Sequence, residues 1–258
     1  MNISINIAPN PQELGGRAAA AIAGYLTEAI QEKGCARLIL STGASQFETL
    51  DALLTHDIAW EKVEMFHLDE YVDLPESHPA SFRRYLKERF VSKVSLKAAY
   101  FVSGEGDVET NIAQLTRELR KAVVDVGVIG IGENGHIAFN DPPADFETEE
   151  AYKVLTLDER CRKQQVGEGW FPSVDEVPKQ AISMCVKQIM ACRHIVTAVP
   201  HAVKAEAVYR TITSQVSPMI PATMLKNHPD WRLFLDDASA ALLMGRADGV
   251  KELSSMKK

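Results

Sequence analysis

The chain has 258 residues, 46% of them hydrophobic, and a formal charge of −7. That length supports one substantial core and lies near the size at which chains begin to divide into domains. The acidic balance excludes a global basic footprint for nucleic acid, no segment reaches the roughly 18 apolar residues that span a bilayer, and the first ten residues do not read as an apolar signal region.

Strand-like and helix-like segments alternate from end to end. Ile3–Ile7 alternates as a strand, and Asn10-Pro11 then supplies an N-cap and first helical position for a helix that Gly34 stops. Ala36–Ser41 is a buried strand, Gln46–Leu54 a helix, and Val63–Leu68 a strand running into Asp69-Glu70-Tyr71. Ser77-His78-Pro79 is expected to open a helix through Phe90, with Arg83, Arg84, Lys87 and Arg89 on its polar side. Val108–Lys121 is helical and Val126–Ile131 is a β-branched strand. Residues 142–180 carry the weakest periodicity and are read as a lid or an inserted hairpin. Ala181–Cys185, His194–Val199 and Trp231–Leu235 are strands, Ala202–Ile212 and Ala238–Met244 are helices, and the tail over 254–258 reads as a frayed end. This alternation predicts an α/β fold with a mostly parallel, doubly wound sheet, as a single domain over 1–258.

Four strand-to-helix junctions hold residues with chemical uses. Ser41-Thr42-Gly43-Ala44-Ser45 offers hydroxyls and backbone N–H groups to a phosphate or carboxylate, or serves as an ordinary N-cap; it lacks the P-loop spacing. Asp69-Glu70-Tyr71 puts two adjacent acids at a strand end, where one could be a desolvated base or both could cap a turn. Residues 130–142, GIGENGHIAFNDP, present Asn134, Gly135, His136 and Asp141 just past a strand. An imidazole there can move protons near neutral pH, with Asn134 or Asp141 fixing its tautomer. No partnered Ser or Cys nucleophile accompanies it. Lys204 falls in the first turn after a strand, where a bound anion would reconcile it with the helix dipole; a solvated lysine is the plainer alternative. All four junctions follow strands, so all four can converge on one sheet edge as a single active site. The cysteines Cys35, Cys161, Cys185 and Cys192 show no CxxC or metal-ligand spacing and read as free thiols of a reducing cytoplasm.

At these residues the chain resembles the glucosamine-6-phosphate deaminase/isomerase family, which includes galactosamine-6-phosphate members. FHLDEYVDLPESHPASF (66–82) resembles the family's MDEY and HPxSY block, GIGENGHIAFNDP its GxDGHIAFNEP block, and STGAS (41–45) its PTGGTP loop. VDEVPKQAISM (174–184) and the Lys204 segment follow in the family's order, and the likeness runs from about Leu38 to Leu243. The resemblance implies a three-layer Rossmann-like fold, no metal and no organic cofactor. It also implies conversion of an amino-sugar 6-phosphate to a ketose 6-phosphate with release of ammonia. By the same resemblance Asp69 is the base moving a proton between C2 and C1, and His136 opens the sugar ring, oriented by Asn134 and Asp141. Thr42, Gly43, Ala44, Ser45 and Lys204 hold the phosphate, and Tyr71 and Gly135 belong to the substrate pocket.

The departures are specific. Asn134 stands where the family often has Asp, Asp141 replaces the usual Glu, and Ala44 and His201 replace glycines. The family's phosphate-binding arginine aligns near Gly169-Trp170-Phe171, where this chain has none; Arg162 and Lys163 are the candidates to replace it. Serines that follow the FNEP block in effector-regulated members are absent, so allosteric activation by an acetylated sugar phosphate is not expected. The sequence leaves gluco and galacto configurations open and is compatible with a homo-oligomer. Two alternatives stand beside the deaminase: a sugar-phosphate lactonase, which shares the GHxA loop but not the DEY or FNDP elements, and a non-catalytic sugar-phosphate sensor, whose helix-turn-helix is not seen at either end.

Overall fold

The computed structural model describes residues 2–249, and the 254–258 tail lies outside the described residues. Strand β1 (Asn2–Ala8) leads into α1 (Pro11–Lys33). The Asn10 side chain fixes the start of α1 by accepting from the Glu13 amide at 2.8 Å, and Pro11 sits where a helix needs no amide. Next come β2 (Ala36–Leu40), α2 (Phe47–Leu53), β3 (Val63–His67), β4 (Asp69–Tyr71), α3 (Phe82–Arg89), β5 (Ala98–Tyr100) and α4 (Val108–Leu119). The second half holds β6 (Val126–Val128), β7 (Tyr152–Thr156), α5 (Glu159–Gly167), β8 (Gln180–Met184), α6 (Val186–Met190), β9 (His194–Val199), α7 (Ala205–Thr213), β10 (Asp230–Asp236) and α8 (Asp237–Gly245). Among the described residues, no helix is long and apolar enough to cross a membrane.

Seven strands form one parallel sheet in the order β1-β10-β9-β6-β2-β3-β5. The two-residue period of a strand sends successive side chains to opposite faces, and both faces are apolar. In β2, Leu38 and Leu40 join α1, α2 and α3 on one side while Ile39 joins α4, α6, α7 and α8 on the other. In β9, Val196 and Ala198 face the first layer and Ile195 and Val199 the second. Helices therefore cover both faces, giving the expected three layers. From β2 the chain winds outward through β3 to β5, then returns to β6 on the other side of β2 and winds away through β9 and β10. The order reverses between β2 and β6, and the crevice at their carboxyl ends is where such sheets take ligands.

Several boundaries differ from expectation. The helix expected from Ser77 begins at Phe82, because residues 75–81 form tight turns and Ser81 is the N-cap, accepting from the Arg84 amide at 3.3 Å. Arg83, expected on the polar face, is buried against Glu70. The strand expected to reach Ile131 stops at Val128, since its neighbour β2 ends at Leu40 and offers no further ladder. The weakly periodic 142–180 region contains β7 and α5, and β7 joins β8 and β4 in a second, antiparallel sheet of order β4-β8-β7.

Candidate active site

A cleft of about 550 Å³ opens at the carboxyl ends of the central strands. Its wall takes Ser41, Thr42, Gly43 and Ser45 from the loop after β2, Asp69 from the start of β4, and Gly130, Gly132 and His136 from the loop after β6; Lys204 comes from beyond β9. The four junctions singled out in the sequence thus meet in one place.

The two adjacent acids divide by strand alternation. Glu70 is fully buried and points away from the cleft into the N-terminus of α3, accepting from Ser81 Oγ (2.8 Å), the Phe82 amide (3.2 Å), the Arg83 amide (2.9 Å) and Arg83 Nε (3.3 Å). Free N–H groups at a helix start suit a carboxylate. Asp69, one residue earlier, faces the opposite way and lines the cleft. It is 5% exposed, and its carboxylate makes no hydrogen bond among the described residues. Burial, seconded by the neighbouring Glu70 charge, pushes its pKa from 3.8 up to about 8.

The His136 loop is held by its own side chains. Asn134 Oδ1 accepts from the His136 amide at 2.9 Å, and Asn134 Nδ2 donates to Asp141 Oδ1 at 2.9 Å. His136 Nδ1 lies 3.1 Å from the same Asp141 oxygen, and the Asp158 amide donates to the other at 3.2 Å. Burial opposes the Asp141 charge, but the bonds from His136, Asn134 and Asp158 outweigh it and hold its pKa below 3.8. An ionised Asp141 accepts a hydrogen bond from Nδ1–H, which leaves Nε2 with its lone pair. Gly132 is required by this packing: a Cβ there would stand 2.1 Å from His136 Nε2. Ser183 ties the loop to Asp69, because it pairs with Asp69 across β4 and β8 while its Oγ accepts from the Phe139 amide at 3.0 Å.

The opposite end of the cleft suits an anion. Lys204 is 5% exposed, and its ammonium has no ion pair or hydrogen bond among the described residues. Burial lowers its pKa below 10.5, opposed by the charges of Glu168 and Glu133. Beside it the loop after β2 turns at Gly43, whose φ of 101° favours glycine. Ser41 Oγ is buried there without a partner among the described residues. A buried ammonium and an unpaired hydroxyl are costly until a ligand satisfies them.

Some expected residues stand behind the wall rather than in it. Tyr71 is fully buried, packs against Phe82, Phe139 and Phe171, and donates to Gln165 Oε1 at 2.7 Å. Asn134 and Asp141 act on His136 from behind, Ala44 begins the 3-10 turn, and Gly135 turns the loop with φ 88°. Neither candidate for the missing arginine reaches the cleft. Arg162 donates to the Val174 carbonyl, and Lys163 pairs with Glu159 at 2.6 Å on the outer face of α5. Gln164, Gln165 and Glu168 line the wall instead. Sequence reasoning missed these three, and also Ser183 and Asp158. Asp158 did carry a signal, as the N-cap of α5, whose side chain accepts from the Cys161 amide at 2.5 Å.

Comparison with known proteins agrees with this layout. Residues 9–233 match the family model described as glucosamine-6-phosphate isomerases/6-phosphogluconolactonase. A glucosamine-6-phosphate deaminase of Oenococcus oeni is 34% identical over 217 residues, 84% of this chain and 90% of that protein. One from Lactobacillus delbrueckii subsp. bulgaricus is 31% identical over 245 residues, 93% of this chain and 100% of its own. Among solved structures, a glucosamine-6-phosphate deaminase described as monomeric superposes with a TM-score of 0.83 at 28% identity, covering 94% of this chain and 100% of that one. A 6-phosphogluconolactonase from Shewanella baltica, 18% identical with a TM-score of 0.74 over 91% of this chain and 97% of that one, shares the fold. The chain belongs to the glucosamine-6-phosphate isomerase/6-phosphogluconolactonase family.

Proposed function

We propose that the protein is a glucosamine-6-phosphate deaminase, converting the amino-sugar phosphate to a ketose 6-phosphate and ammonia. The observation that carries this reading is one cleft walled at once by a buried unpaired carboxylate, a carboxylate-oriented imidazole and a buried lysine without a counterion. The phosphate sits against Lys204, Ser41, Thr42, Gly43 and Ser45, which places the sugar ring between Asp69 and His136. His136 Nε2 takes the proton of the anomeric hydroxyl and returns one to the ring oxygen, so the ring opens to the aldehyde. Asp69 removes the C2 proton while O1 is protonated, giving an enolamine, and then delivers a proton to C1. The resulting C2 imine adds water and loses ammonia, leaving the ketose. A carboxylate with a raised pKa is the stronger base for a weakly acidic C–H. All four cysteines are free thiols, usage that supports a cytoplasmic setting.

The test is ammonia release from glucosamine 6-phosphate, its galacto epimer and unphosphorylated glucosamine, with ketose 6-phosphate measured in parallel. The expected outcome is stoichiometric ammonia and ketose from a phosphorylated amino sugar, lost in Asp69→Asn. Hydrolysis of a phosphogluconolactone without ammonia would replace the assignment with a lactonase, and tight binding without turnover would make the protein a sensor.

A further inference from the structure

Behind the cleft lies a donor set that the deamination chemistry does not use as a set. Cys161, on α5, is buried, and its Sγ lies with His136 Nδ1 and an Asp141 carboxylate oxygen in a cluster whose ligand atoms are all within 4.8 Å of one another. One imidazole nitrogen, one carboxylate and one sulfur form a borderline-soft set suited to zinc or cadmium, whereas magnesium and calcium require oxygen-rich sites. From ordinary zinc bond lengths, ligand atoms in a tetrahedral site lie about 3.5 Å apart. His136 Nδ1 and Asp141 Oδ1 are already 3.1 Å apart, so closing the set from within 4.8 Å asks the thiol to move by roughly 1.5 Å at most. The charge also balances: a divalent ion with one carboxylate and one thiolate is neutral, which a buried site tolerates. The carboxylate is oriented in advance, its oxygens accepting from Asn134 Nδ2 at 2.9 Å and the Asp158 amide at 3.2 Å. Of the three, His136 lines the cleft, and Asp141 and Cys161 stand behind it.

We infer that His136, Asp141 and Cys161 form an inhibitory site for a thiophilic divalent cation such as zinc, with the fourth position left to water. On binding, the Cys161 thiol gives its proton to solvent and a sulfur–metal bond forms. The metal takes the Nδ1 position of His136, whose proton passes through solvent to Nε2, so the ring stays neutral with its one proton on Nε2. That tautomer has no lone pair facing the sugar, so the ring-opening base is lost while the phosphate end of the cleft is untouched. The inhibitory consequence rests on the role proposed for His136; the binding itself does not.

The experiment titrates the purified enzyme with cadmium, following the ultraviolet thiolate-to-cadmium absorption band, and separately measures ammonia release against free zinc. One equivalent of cadmium should develop the band, and zinc should reduce kcat with little change in KM. Cys161→Ser should abolish the band and weaken zinc inhibition by about 100-fold or more, since loss of an outer partner alone costs roughly 10–100-fold. Cys35→Ser should change neither. Asp141→Asn, which keeps the thiol, should also lose the band, and its readout needs neither activity nor an intact Cys161 variant. No band in the wild type, or a band that persists in both Cys161→Ser and Asp141→Asn, overturns the site. A Cys161-dependent band with undiminished ammonia release overturns the inhibition and the role given to His136, leaving the metal site standing.

Discussion

Asp69→Asn should make the protein more stable and inactive, and the stability gain should grow with pH in a calculable way. Its carboxyl is buried and titrates near 8, against 3.8 for the free side chain. A group raised on folding binds its proton in the native state while the unfolded chain has released it, so stability falls as pH rises between the two values and is flat above the upper one. At roughly 1.36 kcal/mol per tenfold change in proton activity, the whole window is worth a ceiling of about 6 kcal/mol, of which about 2 kcal/mol has been lost by pH 5. Asparagine has the shape of the protonated acid and never ionises. Urea unfolding of both proteins from about pH 5 to pH 9 should therefore show a variant advantage of up to about 2 kcal/mol at the acid end, widening toward the ceiling at the alkaline end. Ammonia release should fall by about 10²–10⁴, the contribution of a positioned base. In the wild type kcat/KM should climb with pH and level off above about 8, because only the ionised carboxylate accepts the C2 proton. An advantage below about 1 kcal/mol at pH 9, or one independent of pH, would refute the claim that burial holds this base in a costly state.

Other substitutions probe the remaining parts. Lys204→Met keeps the packed stem and removes the charge, so KM for the phosphorylated sugar should rise by about 10–100-fold, the worth of one charge-assisted contact, while an unchanged KM would remove Lys204 from the anion site. Gly132→Ala puts a Cβ 2.1 Å from His136 Nε2; displacing the ring by about 1 Å should lower kcat by about 10²-fold in steady-state assays. Glu70→Gln strips the charge from the α3 anchor, weakening the bonds from the helix start while Arg83 keeps its ion pair with Glu105 at 2.7 Å, and should cost about 2 kcal/mol by denaturant unfolding.

Much of the fold was legible because its signals are local. Asn10-Pro11 and Gly34 bracket α1 as written, and the Val126–Ile131 run reads as a buried strand, though only Val126–Val128 pairs as one. Asp69, His136 and Lys204 could be nominated because each follows a strand, and parallel strands put such positions on one edge. What could not be read depends on distant partners. Arg83 looks like a surface charge until Glu70, thirteen residues earlier, is seen buried beside it. Strand β5 is three residues, Ala-Ala-Tyr, with no alternation to mark it. Helix α5 buries only Cys161 and Gln165, so no apolar stripe betrays it, yet it supplies Gln164 and Gln165 to the cleft wall. The absent arginine was visible in the sequence; that Glu168 stands on the wall, while Arg162 and Lys163 turn elsewhere, was not.

The opposed orientation of Asp69 and Glu70 carries an implication for how this enzyme can change. The Asp69 carboxylate is turned into the cleft by the anchoring of Glu70 at the start of α3, a helix whose far side, at Arg84 and Glu88, is open to water. Evolution can recut the sugar pocket without disturbing that aim. A single residue inserted just ahead of the dipeptide would move Asp69 into the anchor's place and Glu70 into that of Tyr71, behind the wall, leaving the cleft face without its carboxylate.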